Sequence, residues 1–145
     1  MSAEENKALF RRFMDELANK GNLGIVDELV APDFVEHEPL PPDAPGGREA
    51  PRWLFAMMRD AFPDLHITLD DELAEGDRVV ARLTVRGTQR GEIMGIPPTG
   101  TSITYTAIDI VRVADGKLVE HWGVSDQLSF LQQLGAIPAP GQPGA

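Results

Sequence analysis

Two titratable side chains near the C-terminal end of the sequence have the types that acid–base chemistry requires. Asp109 and His121 lie on two apolar-rich segments that flank Ala114-Asp115-Gly116, so residues 102–126 are predicted to form a β-hairpin. Histidine changes charge near neutral pH, and a neighbouring carboxylate orients the ring and stabilises its protonated form. If both side chains point into one cavity, the hairpin carries a pair suited to moving protons on carbon.

The length of the turn decides whether these side chains face each other. A two-residue Asp115-Gly116 turn pairs Asp109 with Trp122, whereas a three-residue loop with Gly116 as a bulge residue pairs Asp109 with His121. The apolar pattern favours the second register. In that register one face carries Tyr105, Ala107, Asp109, Val111, Val119, His121 and Gly123, and the other carries Ile108, Ile110, Leu118, Trp122 and Val124.

Further candidates lie outside the pair. His37, on a short strand predicted for residues 34–38, is either a base or substrate-binding group, or else a surface histidine at a strand end. Tyr105 is predicted to donate to a substrate oxygen if it faces inward. Phe13, Trp53 and Met58 are core residues that we expect to wall a substrate pocket wherever they reach it. The histidines lack the spacing of a metal site, so we predict no metal.

The elements that must position these residues follow from periodicity. Helical spacing predicts three amphipathic helices within residues 3–62, strands follow from residue 65, and a short helix is predicted near residues 126–134. This order indicates an α+β domain with the helices on one face of the sheet. The Pro- and Gly-rich segments 39–47 and 91–100 are candidate pocket rims, the first as a lid or a plain connector. We expect one domain, residues 1–135, and a flexible tail, residues 136–145.

Composition narrows the function classes. The chain has 145 residues, a net charge of −10, 42% hydrophobic residues and no cysteine. The absence of cysteine excludes thiol catalysis, and the negative charge makes nucleic acid and anionic membranes poor partners. The acidic N-terminus and the lack of a long apolar run predict a soluble, cytoplasmic protein. The apolar face that carries Ile108, Ile110 and Trp122 predicts a homodimer packed sheet to sheet.

Several short motifs, in this order, resemble those of the SnoaL-like polyketide cyclases and ester cyclases, within the nuclear transport factor two-like superfamily. They are FVEHEP at 34–39, AFPDL at 61–65, RGTQRGEIMGIPPTG at 86–100 and DIVRVADGKLVEHWGVSD at 109–126. The resemblance implies a cone of strongly curved, mixed or antiparallel sheet around three N-terminal helices, with a pocket at its open end and a short C-terminal helix.

The resemblance also implies a mechanism. Family enzymes move protons next to a carbonyl without a metal or organic cofactor, and the polyketide cyclases carry a histidine–carboxylate pair on the last two long strands. Asp109 and His121 occupy those positions in swapped order. The related ketosteroid isomerases carry a tyrosine on the first helix, where this chain has Phe13.

We therefore expect a small cofactor-independent enzyme of isomerase or lyase type, acting on an apolar carbonyl-containing substrate by aldol cyclisation, isomerisation or dehydration. In this hypothesis His121 or His37 is the base, and Asp109 orients it or serves as the acid. Two alternatives remain open: a non-catalytic small-molecule-binding module of the same fold, and a hydrolase or dehydratase that uses a His/Asp-activated water.

Overall fold

Helices cover the inner side of a curled five-stranded sheet, which confirms the predicted α+β class. The structure is a computed structural model, and it describes residues 1–141. The helices are α1 (Ala3–Met14), α2 (Ile25–Leu29), α3 (Glu49–Ala61) and α4 (Gln127–Gln133), and α1 continues into a π-helical turn, Asp15–Asn19. The strands are β1 (Val30–Glu36), β2 (His66–Glu75), β3 (Arg78–Thr88), β4 (Ser102–Ala114) and β5 (Lys117–Ser125).

Helix α1 has a clear start signal in the sequence and an apolar face that forms much of the core. The Ser2 hydroxyl accepts from the Glu5 backbone N–H, and the Glu5 carboxylate accepts from the Ser2 N–H, which together form a capping box. Phe10, Phe13 and Met14 are buried against the sheet. Within residues 1–141 every helix is too short or too polar to cross a membrane.

The strand order β1-β5-β4-β3-β2 places the first strand beside the last strand at one edge of the sheet. Strand β1 runs parallel to β5, and the other neighbours are antiparallel. The sequence predicts a break at Pro32 before a strand over residues 34–38, but β1 passes through this proline. An edge strand tolerates proline because the side of the strand without a neighbour needs no donor.

The β4–β5 hairpin follows neither of the two predicted registers. Its turn is the two-residue kind, with Asp115 and Gly116 both at positive φ (51° and 72°) between Ala114 and Lys117. One extra residue, Val119, then bulges from β5 between the pairs Val113↔Leu118 and Arg112↔Glu120. As a result Asp109 lies opposite Gly123, and His121 lies opposite Val111.

The bulge changes which side chains share a face. Asp109 and His121 both point to the concave side, as the favoured register predicted, although they meet diagonally rather than directly. Leu118 was predicted on the outer face, and this is wrong, because the residue precedes the bulge and is buried in the core at 1% exposure. Of the predicted tail, residues 142–145 lie outside the described part of the chain, and its flexibility remains a prediction.

Candidate active site

A cavity of about 490 Å³ lies between the helices and the concave face of the sheet. Its wall is mostly apolar, with Phe10, Phe13, Met14, Leu54, Phe55 and Met58 from α1 and α3. Parts of both irregular segments line it as well. Leu40 is half-buried and Met94 is 48% exposed, so the two segments border the mouth of the cavity. Such a concave, largely apolar space suits a small organic ligand.

The His121 imidazole lies at the centre of a buried acid–base cluster on the cavity wall. Its Nδ1 is 2.5 Å from Glu36 Oε1, and its Nε2 is 2.9 Å from Asp109 Oδ1. The side chains of these three residues are between 11% and 15% exposed. The parallel pairing Glu36↔His121 brings β1 to the hairpin and so supplies the second carboxylate.

The two carboxylates keep the His121 ring protonated at neutral pH. Burial alone would lower the pKa of His121, but its hydrogen bonds to Asp109 and Glu36 and the charges of these carboxylates raise the pKa to about 10. An imidazolium donates from both ring nitrogens, which matches the two contacts. In this state the ring holds a positive charge and has no lone pair with which to accept a proton.

A third carboxyl group and a phenol complete the polar part of the cavity. Burial raises the pKa of Glu38, and the negative charge of Asp109 acts in the same direction. Burial, followed by the charges of Glu38 and Asp109, raises the pKa of Tyr105, so its hydroxyl stays neutral. The Tyr105 ring packs against Phe130 of α4, with ring centroids 4.9 Å apart.

Because Gly123 has no side chain, the side chains of Asp109, Glu38 and His121 can converge beside it. A methyl group added to Gly123 would lie 2.6 Å from Asp109 Oδ1 and 2.9 Å from both Glu38 Oε2 and His121 Cε1. Heavy atoms do not approach a methyl carbon this closely, so any side chain here would displace the cluster. The absence of a side chain at this position is therefore part of the site.

The structure places His37 outside the cavity, which argues against a role as base or substrate-binding group and agrees with the alternative prediction of a surface histidine at a strand end. The His37 ring stacks on Trp122 with centroids 4.9 Å apart, and its Nε2 lies 2.7 Å from Glu120 Oε2. This is the outer side of the sheet. Because side chains alternate along an extended chain, an outward His37 requires Glu36 and Glu38 to point inward.

Trp53 is also misplaced by the prediction. It lies on the side of α3 away from the cavity, in a shallow depression shared with Leu23 and Pro45. By contrast, Phe13, Met58 and Tyr105 do line the cavity, together with Asp109 and His121.

Sequence reasoning missed Glu36 and Glu38, although the signal was present. In the segment Phe34-Val35-Glu36-His37-Glu38, a period of two puts Phe34 and both glutamates on one face. Phe34 is buried and Val35 is 47% exposed, as that alternation requires.

The cluster also offers the donor types that a metal ion uses. Ligand atoms of Glu36, Glu38 and His121 lie within 4.8 Å of one another. However, both nitrogens of the His121 ring are engaged with carboxylates, and an imidazolium cannot ligate a metal. The geometry therefore fits a hydrogen-bonded acid–base cluster better than a metal site.

Comparison with known proteins identifies the family. A profile of the SnoaL-like polyketide cyclases matches residues 8–134. The nogalonic acid methyl ester cyclase of Streptomyces nogalater is 29% identical over 81% of this chain and 88% of its own length. The aklanonic acid methyl ester cyclase DnrD of Streptomyces peucetius is 29% identical over 86% of this chain and 87% of its own.

Solved structures show the same relationship. TsrD from Streptomyces laurentii superimposes with a TM-score of 0.84 at 32% identity, covering 94% of this chain and 99% of TsrD. AclR from Streptomyces galilaeus, a proposed hydroxylase, gives a TM-score of 0.83 at 34% identity, covering 94% and 100%. Together with the profile match, these similarities show that the chain belongs to the SnoaL-like polyketide cyclase family.

Proposed function

We propose that this protein is a cofactor-independent cyclase that closes a ring by intramolecular aldol addition in a neutral, ester-bearing polyketide. The observation that carries the proposal is the Glu36–His121–Asp109 cluster on the wall of a mostly apolar cavity. A substrate that fills this cavity displaces water from it, which strengthens the electrostatic interactions of the cluster with a developing enolate. The names of the two methyl ester cyclases among its relatives supply the substrate class.

The charges of the cavity support a neutral substrate. Among the described residues that line it, none is lysine or arginine, and His121 is the cation that faces Glu36 and Asp109. A free carboxylate would enter this environment without a positive partner, at a high desolvation cost. A methyl ester avoids that cost, so esters are the expected substrates.

Asp109 is the group best placed to act as the base. Glu36 Oε1 already accepts from His121 and from the Glu38 backbone N–H. Asp109 accepts a single hydrogen bond, from His121 through Oδ1, whereas Glu36 accepts two; within residues 1–141 no donor reaches the second oxygen of either carboxylate. In this mechanism Asp109 removes a proton from a carbon flanked by carbonyls, and the resulting enolate attacks a second carbonyl. The imidazolium of His121 holds Asp109 in place, which reverses the roles expected from the sequence.

The test uses aklanonic acid methyl ester and nogalonic acid methyl ester as substrates. We expect conversion to a product of unchanged mass and different chromatographic retention. Asp109→Asn should lower kcat by roughly 10²–10⁴-fold, because a positioned base contributes about that factor. Asp33→Asn, which changes an exposed aspartate of β1, is the matched control and should keep full activity.

Other outcomes point to other functions. Recovery of both esters unchanged but bound would favour a binding module, and a gain of one water or one oxygen in mass would favour hydrolysis or hydroxylation. Full activity of a correctly folded Asp109→Asn protein would contradict the assigned base.

A further inference from the structure

The three carboxyl groups near His121 differ in the donors that reach them. Glu36 and Asp109 each accept from an imidazolium nitrogen, and Glu36 also accepts from a backbone N–H at 3.0 Å. Glu38 accepts from the Ser125 hydroxyl at 3.4 Å, near the limit of a hydrogen bond. Glu38 is thus the carboxyl group in the cluster without a cationic partner in direct contact.

Glu38 and Asp109 also approach the same point. Their oxygens lie 2.9 and 2.6 Å from the position of a methyl group built on Gly123, so they converge from β4 and from the segment after β1. Two carboxylates that converge in this way repel, and in a partly buried site the repulsion raises the pKa of Glu38. The charges of Asp109 and Glu36 oppose ionisation of Glu38, whereas His121 favours it.

Tyr105 adds a neutral donor beside this group. Its side chain is buried and lines the cavity, and within residues 1–141 its hydroxyl has no hydrogen-bond partner. The hydroxyl oxygen is not among the fully buried, unpaired polar atoms of the described residues, so it has access to the open space of the cavity. The free hydroxyl is therefore available to a substrate oxygen close to Glu38 and Asp109, the two carboxyl groups that influence its ionisation.

We infer that Glu38 is the proton donor of the proposed aldol reaction, delivering its carboxylic-acid proton to the oxygen of the attacked carbonyl while Tyr105 donates a hydrogen bond to that oxygen. This inference rests on the proposed function. Asp109 takes the C–H proton, and the C–H electron pair passes through the enolate into the new C–C bond. The carbonyl π pair moves to oxygen, which takes the proton of Glu38. A proton transfer from Asp109 to Glu38 then restores both groups.

The first test follows the proton on Glu38 and does not depend on turnover. Infrared difference spectra across a pH titration report the C=O stretch of protonated carboxyl groups. We expect wild-type protein at pH 7 to show a protonated carboxyl group that is absent in Glu38→Gln. The control Glu75→Gln, at an exposed glutamate of β2, should retain the signal. A signal unchanged in Glu38→Gln would overturn the inference.

The second test measures turnover of aklanonic acid methyl ester. Glutamine has the shape of the neutral acid but cannot release a proton, so Glu38→Gln should lower kcat by roughly 10²–10⁴-fold with little change in KM. Glu38→Asp keeps the acid on a shorter side chain and should recover part of kcat. Wild-type kcat in a folded Glu38→Gln protein would overturn the inference. If wild-type protein converts neither ester, the proposed function fails, and the infrared titration still decides the state of Glu38.

Discussion

His121 acts as a fixed positive charge that organises two carboxylates. Its contacts to Glu36 and Asp109 hold the ring on both sides, and burial of all three side chains keeps water from competing for the same hydrogen bonds. The sequence suggests that a histidine is the base. A histidine with a carboxylate on each nitrogen is already protonated, so in the proposed mechanism a carboxylate, Asp109, accepts the substrate proton instead.

This charge makes stability depend on pH in a defined direction. The folded protein raises the pKa of His121 from its ordinary 6.5 to about 10, so its contribution to stability is complete below pH 6.5 and is lost as the pH approaches 10. Between these values the free energy of unfolding should fall by at most about 1.4 kcal/mol per pH unit. Urea denaturation at pH 6.5, 8 and 9.5 measures the slope. His121→Gln should flatten it, and His66→Gln, at an exposed histidine, should not.

Gly123 gives a second prediction at the residue scale. In Gly123→Ala the new methyl group would meet Asp109 Oδ1 at 2.6 Å and force the carboxylate away from His121. A displacement of this size in a catalytic group costs roughly 10²-fold in kcat/KM. Gly46→Ala is the control, since a methyl group there has open space. Equal activity of the two variants would show that the cluster tolerates the change.

The sequence allowed the pair to be predicted but not its partners. Asp109 and His121 were recognisable because both lie on one hairpin, within a dozen residues of each other. Glu36 and Glu38 reach them through a contact that spans most of the chain, and local patterns do not specify such a contact. Alternation along residues 34–38 places both glutamates on the face of Phe34 and opposite His37, but it does not show that this face meets Asp109 and His121.

At the scale of elements, the bulge at Val119 decides the geometry of the hairpin. Turn chemistry at Asp115-Gly116 identifies a two-residue loop, and the apolar pattern places Asp109 and His121 on one face. These two signals contradict each other in a regular ladder, and one extra residue in β5 satisfies both. A bulge has no reliable sequence signature here, so the exact pairing could not be predicted, although the shared face could.

Gln89 organises the second irregular segment, residues 91–100, at the mouth of the cavity. Its side chain is fully buried, and its Nε2 donates to the carbonyl oxygens of Gly91, Ile96 and Pro97. The Thr99 hydroxyl donates to Gln89 Oε1 at 3.1 Å. This amide adds to the two backbone hydrogen bonds that Ile93 and Ile96 exchange, and Met94, which lies between them, lines the cavity.

We predict that Gln89→Leu loosens this segment more than it unfolds the domain. Loss of the amide removes the donor of three partly buried hydrogen bonds, each of which contributes about 0.5–1.5 kcal/mol. Limited proteolysis should then cut within residues 91–100, and KM should rise because the rim moves. Gln132→Leu, which removes a single 3.4 Å contact to Pro138, is the matched control. Protease resistance equal to wild type would show that the loop is held by other contacts.

At the scale of the whole molecule, the order of helices and strands was sufficient to predict the fold class. Amphipathic spacing in α1 and α3 and alternation in β3 and β4 are strong because each element buries one face. The parallel pairing of β1 with β5 could not be predicted, because local sequence patterns do not determine which strand lies at the edge of the sheet.

The predicted homodimer remains a proposal, and its argument comes from the apolar side chains on the outer face of the sheet. A row of apolar side chains crosses four strands, Leu73, Val80, Ile110 and Trp122. Beside it, Ile108 is 51% and Val124 is 75% exposed. Exposed apolar surface of this kind marks an interface, and a second copy of the same face would cover it.

Light scattering after size exclusion should therefore give twice the 15.8 kDa of one chain. Ile108→Glu should give a monomer, because it would place a carboxylate in the dry centre of the interface. Leu128→Glu adds the same charge at an exposed position on α4 and should leave the dimer intact. A wild-type monomer at micromolar concentration would contradict the sheet-to-sheet arrangement.

The edge position of β1 has a consequence for the way activity is lost on heating. Among residues 1–141, β1 pairs with β5 at Val30, Val35 and Glu36 and with an irregular register, whereas β3 and β4 at the centre of the sheet pair without a break from Arg78↔Arg112 to Thr88↔Ser102. Edge elements open at lower free energy than the centre of a sheet. Detachment of this edge would carry Glu36 and Glu38 away from His121. Turnover should therefore disappear several degrees below the midpoint of thermal unfolding measured by far-ultraviolet circular dichroism. The pairing of β1 with β5 would then set the highest temperature at which the protein is active.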